Sequence, residues 1–457
     1  MKKSSIANKI FIVFLLLAVI VGAGYVYTAP EFEREVPKIE SQNNVFWNRQ
    51  APLEVKLSDN AGLGNYKLTL SDGNKSIVVD EGALGGAVKE KTLLIKYPKS
   101  KVLDNKAKHL TLNVSVVDSS MWQYLQGNSA EANITITVDY TRPNVNLVAN
   151  SRMINQGGSA LVVFQANDDN LDELYIEANG NKFIAQPYKK EGYYASLIAW
   201  PFDMDTFSAK IIATDLAKNK RVTEIPFYHK NPQYKTSLIH ATDKFIDGKI
   251  TDLASSNPDY ATLDNKLEKL KAINETMRLN NEALIHKLSS KISTEILDVW
   301  KINKFYPLKN GQRVASFGDQ RSYYYDTKDN VVSHSNHVGY DLASNAMANI
   351  KTSNAGTVVY AEENGNYGNM PMIDHGLGLF TLYGHCSQIL VQEGDEVQAG
   401  EVIAKTGQTG LALGDHLHFG VVVQGIEVRP VEWFDQSWIT KFIDNVFKDA
   451  DKIIEGK

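Results

Sequence analysis

Between residue 42 and about residue 140, apolar and polar positions alternate with period two. Leu53, Val55 and Leu57 follow the alternation. So do Tyr66, Leu68 and Leu70, then Leu110, Leu112, Val114 and Val116, then Ile134, Ile136 and Val138. Successive side chains of a strand point to opposite faces, so each run predicts a half-buried strand. Gly, Asn and Asp between the runs predict tight turns, and together they predict a β-sandwich. A second stretch, about 141 to 235, repeats the pattern. Leu57-Ser58-Asp59-Asn60, Tyr66 and Asp72-Gly73-Asn74-Lys75 are matched by Asn167-Asp168-Asp169-Asn170, Tyr175 and Asn179-Gly180-Asn181-Lys182. Two immunoglobulin-like modules in tandem are expected, serving as a spacer or scaffold. Their aromatics Trp122, Tyr193, Tyr194 and Trp200 are expected in cores or on sheet faces rather than in a ligand groove.

The period changes at Ser237. Up to Trp300 there is little strand pattern. Leu263, Leu267, Leu270, Met277, Leu284 and Leu288 fall on one helical stripe, with Asn274 and Asn281 in its gaps. Those asparagines disfavour a long coiled coil, and Asn257-Pro258 breaks the pattern, so a helical hairpin packed on a neighbouring domain is expected. From about Tyr306 strands return, punctuated densely by glycine. Thr357–Ala361, Phe380–Tyr383, Val402–Lys405 and Leu417–Val423 read as strands of a compact antiparallel domain, and a short helix closes the chain from about Trp438.

At the other end, Ile10–Tyr27 is an 18-residue run without a charge, close to the length that crosses a bilayer core. Lys2, Lys3 and Lys9 precede it, and Glu31, Glu33 and Glu35 follow. The positive-inside rule then leaves the amino terminus in the cytoplasm and exports the rest. An uncleaved anchor is expected over a signal peptide, because Val21-Gly22-Ala23 lies inside the apolar run. The expected fold class is multidomain and mainly β with a helical segment. Its order is 1–29 cytoplasmic tip and transmembrane anchor, 30–140 and 141–235 sandwiches, 236–303 helical segment, 304–437 antiparallel β domain and 438–457 terminal helix. The expected location is the cell membrane, single-pass, with the bulk of the chain in the periplasm or extracytoplasmic space.

Composition narrows the chemistry. A formal net charge of −5 in 457 residues gives no basic excess for nucleic acid. The lone Cys386 excludes an intramolecular disulfide framework and any CxxC site, so a metal centre would need His, Asp and Glu. Six of the ten histidines lie between His334 and His418. His337-Val338-Gly339-Tyr340-Asp341 is an H-x-x-x-D, and His416-Leu417-His418 is an H-x-H in a strand, whose two imidazoles leave the same face. Tyr383-Gly384-His385 follows another strand. Catalytic zinc sites use three protein ligands plus water. One His and one Asp from the first motif and one His from the H-x-H would form that set. Two histidines would then remain for proton transfer and oxyanion stabilisation.

The segment from about Phe317 to Trp433 resembles the lysostaphin-type, LytM-like zinc metallopeptidases that cut peptidoglycan cross-bridges. The resemblance rests on Ser316-Phe317-Gly318, His337–Ala343, Ala355–Val359, Ile373-Asp374-His375-Gly376, Leu382-Tyr383-Gly384-His385, Gly407-Gln408-Thr409-Gly410 and Gly414–Gly420, over roughly a quarter of the chain. The modules ahead of it resemble a membrane-anchored subgroup, with similar counterparts of Asn155-Gln156-Gly157-Gly158-Ser159 and Asn274-Glu275-Thr276-Met277-Arg278. The resemblance implies His337, Asp341 and His418 as ligands of one zinc per chain, with His385 and His416 in catalytic and transition-state-stabilising roles. It also implies an assisting tyrosine ahead of the first ligand, for which Tyr323, Tyr324 and Tyr325 all stand available. It treats His375 as structural.

Cys386 departs from the family pattern and reads as a packing residue. His334 is expected in a loop at the cleft rim, and His109, His229, His240 and His286 as surface or packing residues. The implied function is a peptidoglycan peptidase, a D,D-endopeptidase or carboxypeptidase, partnered by the wall, the inner membrane and wall-synthesis proteins. The alternative is a non-catalytic LytM-like activator of a separate wall amidase, but such relatives lack zinc ligands. The hairpin and one sandwich are expected to pack on the catalytic domain, either restricting its cleft or bracing it. In the first case one of their side chains could take the open zinc position.

Overall fold

The computed structural model describes residues 6–456. Lys2 and Lys3, invoked above for membrane orientation, lie outside them. Ile6–Thr28 is one helix, and Asn8–Thr28 is long and apolar enough to cross a membrane. The rest is mainly β. It divides into a first unit ending at Arg142 that takes in Asn170–Asp172 and Thr214–Lys220, and a second of Pro143–Asp169, Glu173–Ala213 and Arg221 onward.

In the first unit a five-stranded sheet runs in the order Asn44–Trp47, Ser129–Val138, His109–Asp118, Leu63–Ser71, Ser76–Ala83. A three-stranded sheet of Lys38–Glu40, Leu53–Ser58 and Glu90–Ile95 shares its core. Alternation decides what is buried: Leu110, Leu112, Val114 and Val116 all face that core. Trp122 lies under the Arg34 guanidinium.

The second unit holds the other sandwich, the hairpin and the carboxy-terminal β domain. Asn144–Asn150, Ser159–Asn167 and Tyr193–Ala199 form one sheet with Gln186–Pro187. Trp200 is buried and Tyr194 stacks on Phe164, so these aromatics are packing residues. In the carboxy-terminal domain the main sheet is antiparallel throughout. Its order is Gln312–Ala315, Tyr340–Ala343, Leu417–Val423, Leu379–Gly384, Asn369–Asp374, Gly356–Glu363, Glu396–Val397.

The hairpin comprises helical turns from Asp243 to Ser256 and from Lys266 to Ser289, capped by the side chains of Thr242 and Asn265. Leu270 and Met277 from the expected stripe are buried, joined by Ile273 and Ile285, which the stripe omits. Ile285 packs on Tyr367, Met370 and Phe380 of the β domain. Asn274 does not break the helix, because its Nδ2 donates to Ser333 Oγ at 2.9 Å. The reading of 237–300 as nearly strand-free needs correction. Thr236–His240 is a strand, parallel to Asp319–Tyr324, which pairs in turn with Val331–His337. His334 therefore sits in a strand and not in a loop. Five residues carry too little pattern to announce a strand whose partner lies some eighty positions on.

Two side chains lock the sandwich to the β domain. Gln424 exchanges bonds with Ile184, accepting from its N–H at 2.7 Å and donating to its carbonyl at 3.0 Å. Glu432 accepts from Asn155 Nδ2 and from the Ser159 N–H. A Cβ on Gly158 would come within 2.7 Å of the Glu432 carboxylate, and one on Gly157 within 2.3 Å of Tyr234 Oη. The Asn155–Ser159 motif is thus a cradle for Glu432. Burial raises the Glu432 pKa from 4.5 to about 7, against the pull of Asn155, Arg429 and Ser159. An acid whose pKa is raised on folding stabilises fully below its unfolded value and loses that contribution as pH climbs through the folded one. Stability is therefore expected to fall by about 3 kcal/mol between pH 4.5 and 8 from this group alone. Thermal melts of wild type and Glu432→Gln across that range provide the check. The variant should gain on wild type as pH rises, and parallel profiles would refute the assignment.

Candidate active site

Register brings the motifs together. Asp341 pairs with His418, and His418 pairs with Gly384 on its other side. His337 ends Val331–His337, the strand that precedes Tyr340–Ala343 in the chain and belongs to the three-stranded sheet with Thr236–His240 and Asp319–Tyr324. The ligand atoms converge: His337 Nε2 lies 3.0 Å from Asp341 Oδ1 and 3.2 Å from His418 Nδ1, and His418 Nδ1 lies 2.9 Å from Asp341 Oδ1. Gly339 makes the approach possible, because a Cβ there would meet the His418 ring at 2.3 Å.

Second contacts fix the tautomers. A carbonyl only accepts, so a ring nitrogen facing one carries the proton. His337 Nδ1–H donates to Ser316 O at 2.8 Å, His385 Nδ1–H to Thr409 O at 2.9 Å and His416 Nδ1–H to Gly414 O at 2.8 Å. With Nδ1–H spent on Ser316, His337 Nε2 faces the Asp341 carboxylate at 3.0 Å, a contact that needs a proton or a metal ion between the two atoms. Zn–N and Zn–O bonds run about 2.0–2.2 Å, so one ion can touch three atoms spaced this way. The set fits zinc. Among the described residues no His, Cys, Asp or Glu of the hairpin or sandwich joins the three.

His385 and His416 lie beside the triad, their ring centroids 4.8 Å apart. His416 Nε2 is 3.7 Å from Asp341 Oδ2, beyond hydrogen-bond length. Burial holds His385 well below the usual histidine range, with His418 and His416 adding to it, and burial brings His418 down to about 4. At Asp341 burial acts upward, but the charges of His337 and His418 and their hydrogen bonds outweigh it and hold the carboxyl well down. All five residues line one cavity of about 180 Å³ with Arg278, Arg321, Asn366, Tyr367, Leu411 and Leu413.

The other expectations sort by contact. His375 is buried between Ala355 O and Thr381 Oγ1, a structural role. The buried Cys386 thiol donates to Tyr383 O, and burial pushes it up to about 12, so it is inert. None of the three candidate tyrosines lines the cavity. Tyr323 packs among the hairpin's apolar residues, Tyr324 stacks on His240, and the Tyr325 hydroxyl donates to Asp243. The residue of Asp319–Tyr324 that lines the cavity is Arg321. His286 bonds Glu427, and His229 packs edge-on against Trp200.

Three side chains around a cation position and two further imidazoles in one cavity are the layout of a mononuclear metallohydrolase. Comparison with known proteins agrees. Residues 335–430 match Peptidase family M23, so the chain carries an M23 peptidase domain. It is 39% identical over 95 residues to the DD-carboxypeptidase/endopeptidase Mpg of Neisseria meningitidis serogroup B, over 21% of this chain and 22% of that protein. It is 36% identical over 126 residues to the peptidoglycan DD-endopeptidase ShyA of Vibrio cholerae, over 28% of each. The chain thus spans less than a third of the length of either relative. The catalytic domain of lysostaphin from Staphylococcus simulans is similar at 26% identity, over 27% of this chain and 92% of that one, with a TM-score of 0.23.

Proposed function

We propose that the chain is a zinc-dependent peptidoglycan peptidase that hydrolyses stem or cross-link peptides, as a D,D-endopeptidase, a carboxypeptidase or both. The observation that carries this is the convergence of His337, Asp341 and His418 beside His385 and His416. Bound zinc supplies Lewis acidity toward the scissile carbonyl and acidifies water. The chain's residues do the rest. The Ser316 carbonyl holds the His337 ring with its Nε2 toward the metal position. His385 and His416 divide proton transfer to the leaving amine and oxyanion stabilisation between them. The apolar Ile6–Thr28 helix serves as a single-pass anchor that leaves the domain on the wall side of the membrane. The amidase-activator reading needs a domain without ligands, and here the set is complete.

The test is digestion of purified peptidoglycan with direct D-alanyl–diamino acid cross-links and of peptidoglycan with glycine bridges, followed by chromatography of the fragments. Zinc-dependent release of uncross-linked stem peptides from the first type is expected. No release from either type, with zinc bound, would overturn the reading.

A further inference from the structure

The hairpin motif Asn274–Arg278 reaches the metal cavity. Ala272–Met277 is wound as a π-turn, a feature often found at functional sites, and it delivers the next residue, Arg278. Asn274 is pinned by Ser333, and Glu275 accepts from Ser333 Oγ at 2.9 Å and from the His334 N–H at 3.1 Å. The hairpin is thereby tied to the strand that ends in His337. Arg278 Nε donates to the Asn274 carbonyl at 3.1 Å and its Nη2 meets Asn274 Oδ1 at 3.5 Å. Both partners are neutral. Arg321 arrives from the opposite strand, where its Nε donates to Asp319 Oδ2 at 3.1 Å. Each guanidinium is aimed by its Nε and keeps further N–H donors for a ligand.

We infer that Arg278 and Arg321 form a carboxylate-recognition subsite beside the metal, so that the hairpin supplies part of the substrate site. This rests on the reading of the site as a peptidase of wall peptides and names the feature of the substrate it selects. Both residues line the 180 Å³ cavity that holds His337, Asp341, His385, His416 and His418. Two guanidiniums next to a dication position repel a cation and attract an anion. Arginine's planar fork matches a carboxylate in two parallel hydrogen bonds. Wall stem peptides carry such groups at the terminal D-alanine, at D-glutamate and at the diamino acid. Arg278 and Arg321 are positioning residues: they hold the peptide so that one amide bond lies over the metal. The inference also changes the role of the hairpin. It neither merely braces the domain nor simply covers the cleft.

The test uses the full chain in detergent and the pentapeptide L-alanyl-γ-D-glutamyl-diaminopimelyl-D-alanyl-D-alanine, with forms in which each carboxylate in turn is amidated. Binding is measured on the metal-free protein, and kcat and KM on the zinc form. Wild type should prefer one free carboxylate over its amide by roughly ten- to a hundredfold in affinity and in KM. The amide that loses most identifies which carboxylate is held. Arg278→Gln and Arg321→Gln should each collapse that preference, mainly through KM, with zinc content unchanged. Arg278→Lys and Arg321→Lys, which keep the charge and lose the fork, should restore it in part and guard against misfolding of the Gln variants. Equal binding of acid and amide by wild type, or a preference untouched in both Gln variants, would overturn the subsite. Binding is read without turnover, so a chain that binds selectively but hydrolyses nothing would sink the peptidase reading and leave the subsite standing.

Discussion

Asp341→Ala is expected to empty the metal site. Asp341 Oδ1 lies 2.9 Å from His418 Nδ1 and 3.0 Å from His337 Nε2, and it brings the one negative charge of the triad. Its removal leaves two buried imidazoles whose ring nitrogens face each other at 3.2 Å and no anion to offset a divalent charge. Loss of even an outer partner of a zinc ligand typically costs ten- to a hundredfold in affinity, so loss of the ligand itself should cost at least tenfold. Metal analysis of the purified chain should give near one zinc in wild type and far less in the variant. Hydrolysis should disappear with it. Asp341→Asn, which keeps the shape and removes the charge, should fall between the two. An Asp341→Ala protein that keeps its full zinc would end the assignment.

What the sequence disclosed and what it hid follow from the range of the interactions involved. Alternation is local, so Leu110 to Val116 and the strand Leu417–Val423 could be read directly, and the core-facing residues with them. The H-x-H spacing works in the same way. The glycines of the histidine motifs had a reason that only packing reveals: Gly339 is small because the His418 ring passes within reach of it. Contacts distant in sequence left no period. Thr236–His240 is a strand because Asp319–Tyr324 lies alongside and Ser237 Oγ donates to Asp319 Oδ1 at 2.6 Å. Arg321 and Tyr323 share one face of their strand, so period two alone does not tell that Arg321 lines the cavity while Tyr323 packs on the hairpin. The motifs Asn155–Ser159 and Asn274–Arg278 stood out as words without meaning. The first closes around Glu432, and the second ties the hairpin to Ser333 and His334.

His416→Ala and His385→Ala are expected to keep zinc and lose hydrolysis, by about 10² to 10⁴ each, the usual worth of a positioned acid–base group. Neither ring belongs to the triad. His416 is oriented by Gly414 O and stands 3.7 Å from Asp341, and His385 is oriented by Thr409 O. Because the two rings lie 4.8 Å apart over one cavity, they should act as a unit. The double variant should then lose little more than the worse single one. His385 has a φ of +66°, where alanine is strained and asparagine is tolerated. His385→Asn therefore separates loss of chemistry from loss of fold: both substitutions should be inactive, and the Asn form should melt higher. Zinc content decides the rest. If His416→Ala sheds its metal while His418→Ala keeps it, ligand and catalytic residue have been exchanged within the H-x-H. The geometry argues against that, because His418 Nδ1 lies within 3.2 Å of both other ligand atoms and His416 Nε2 lies 3.7 Å from the nearer Asp341 oxygen.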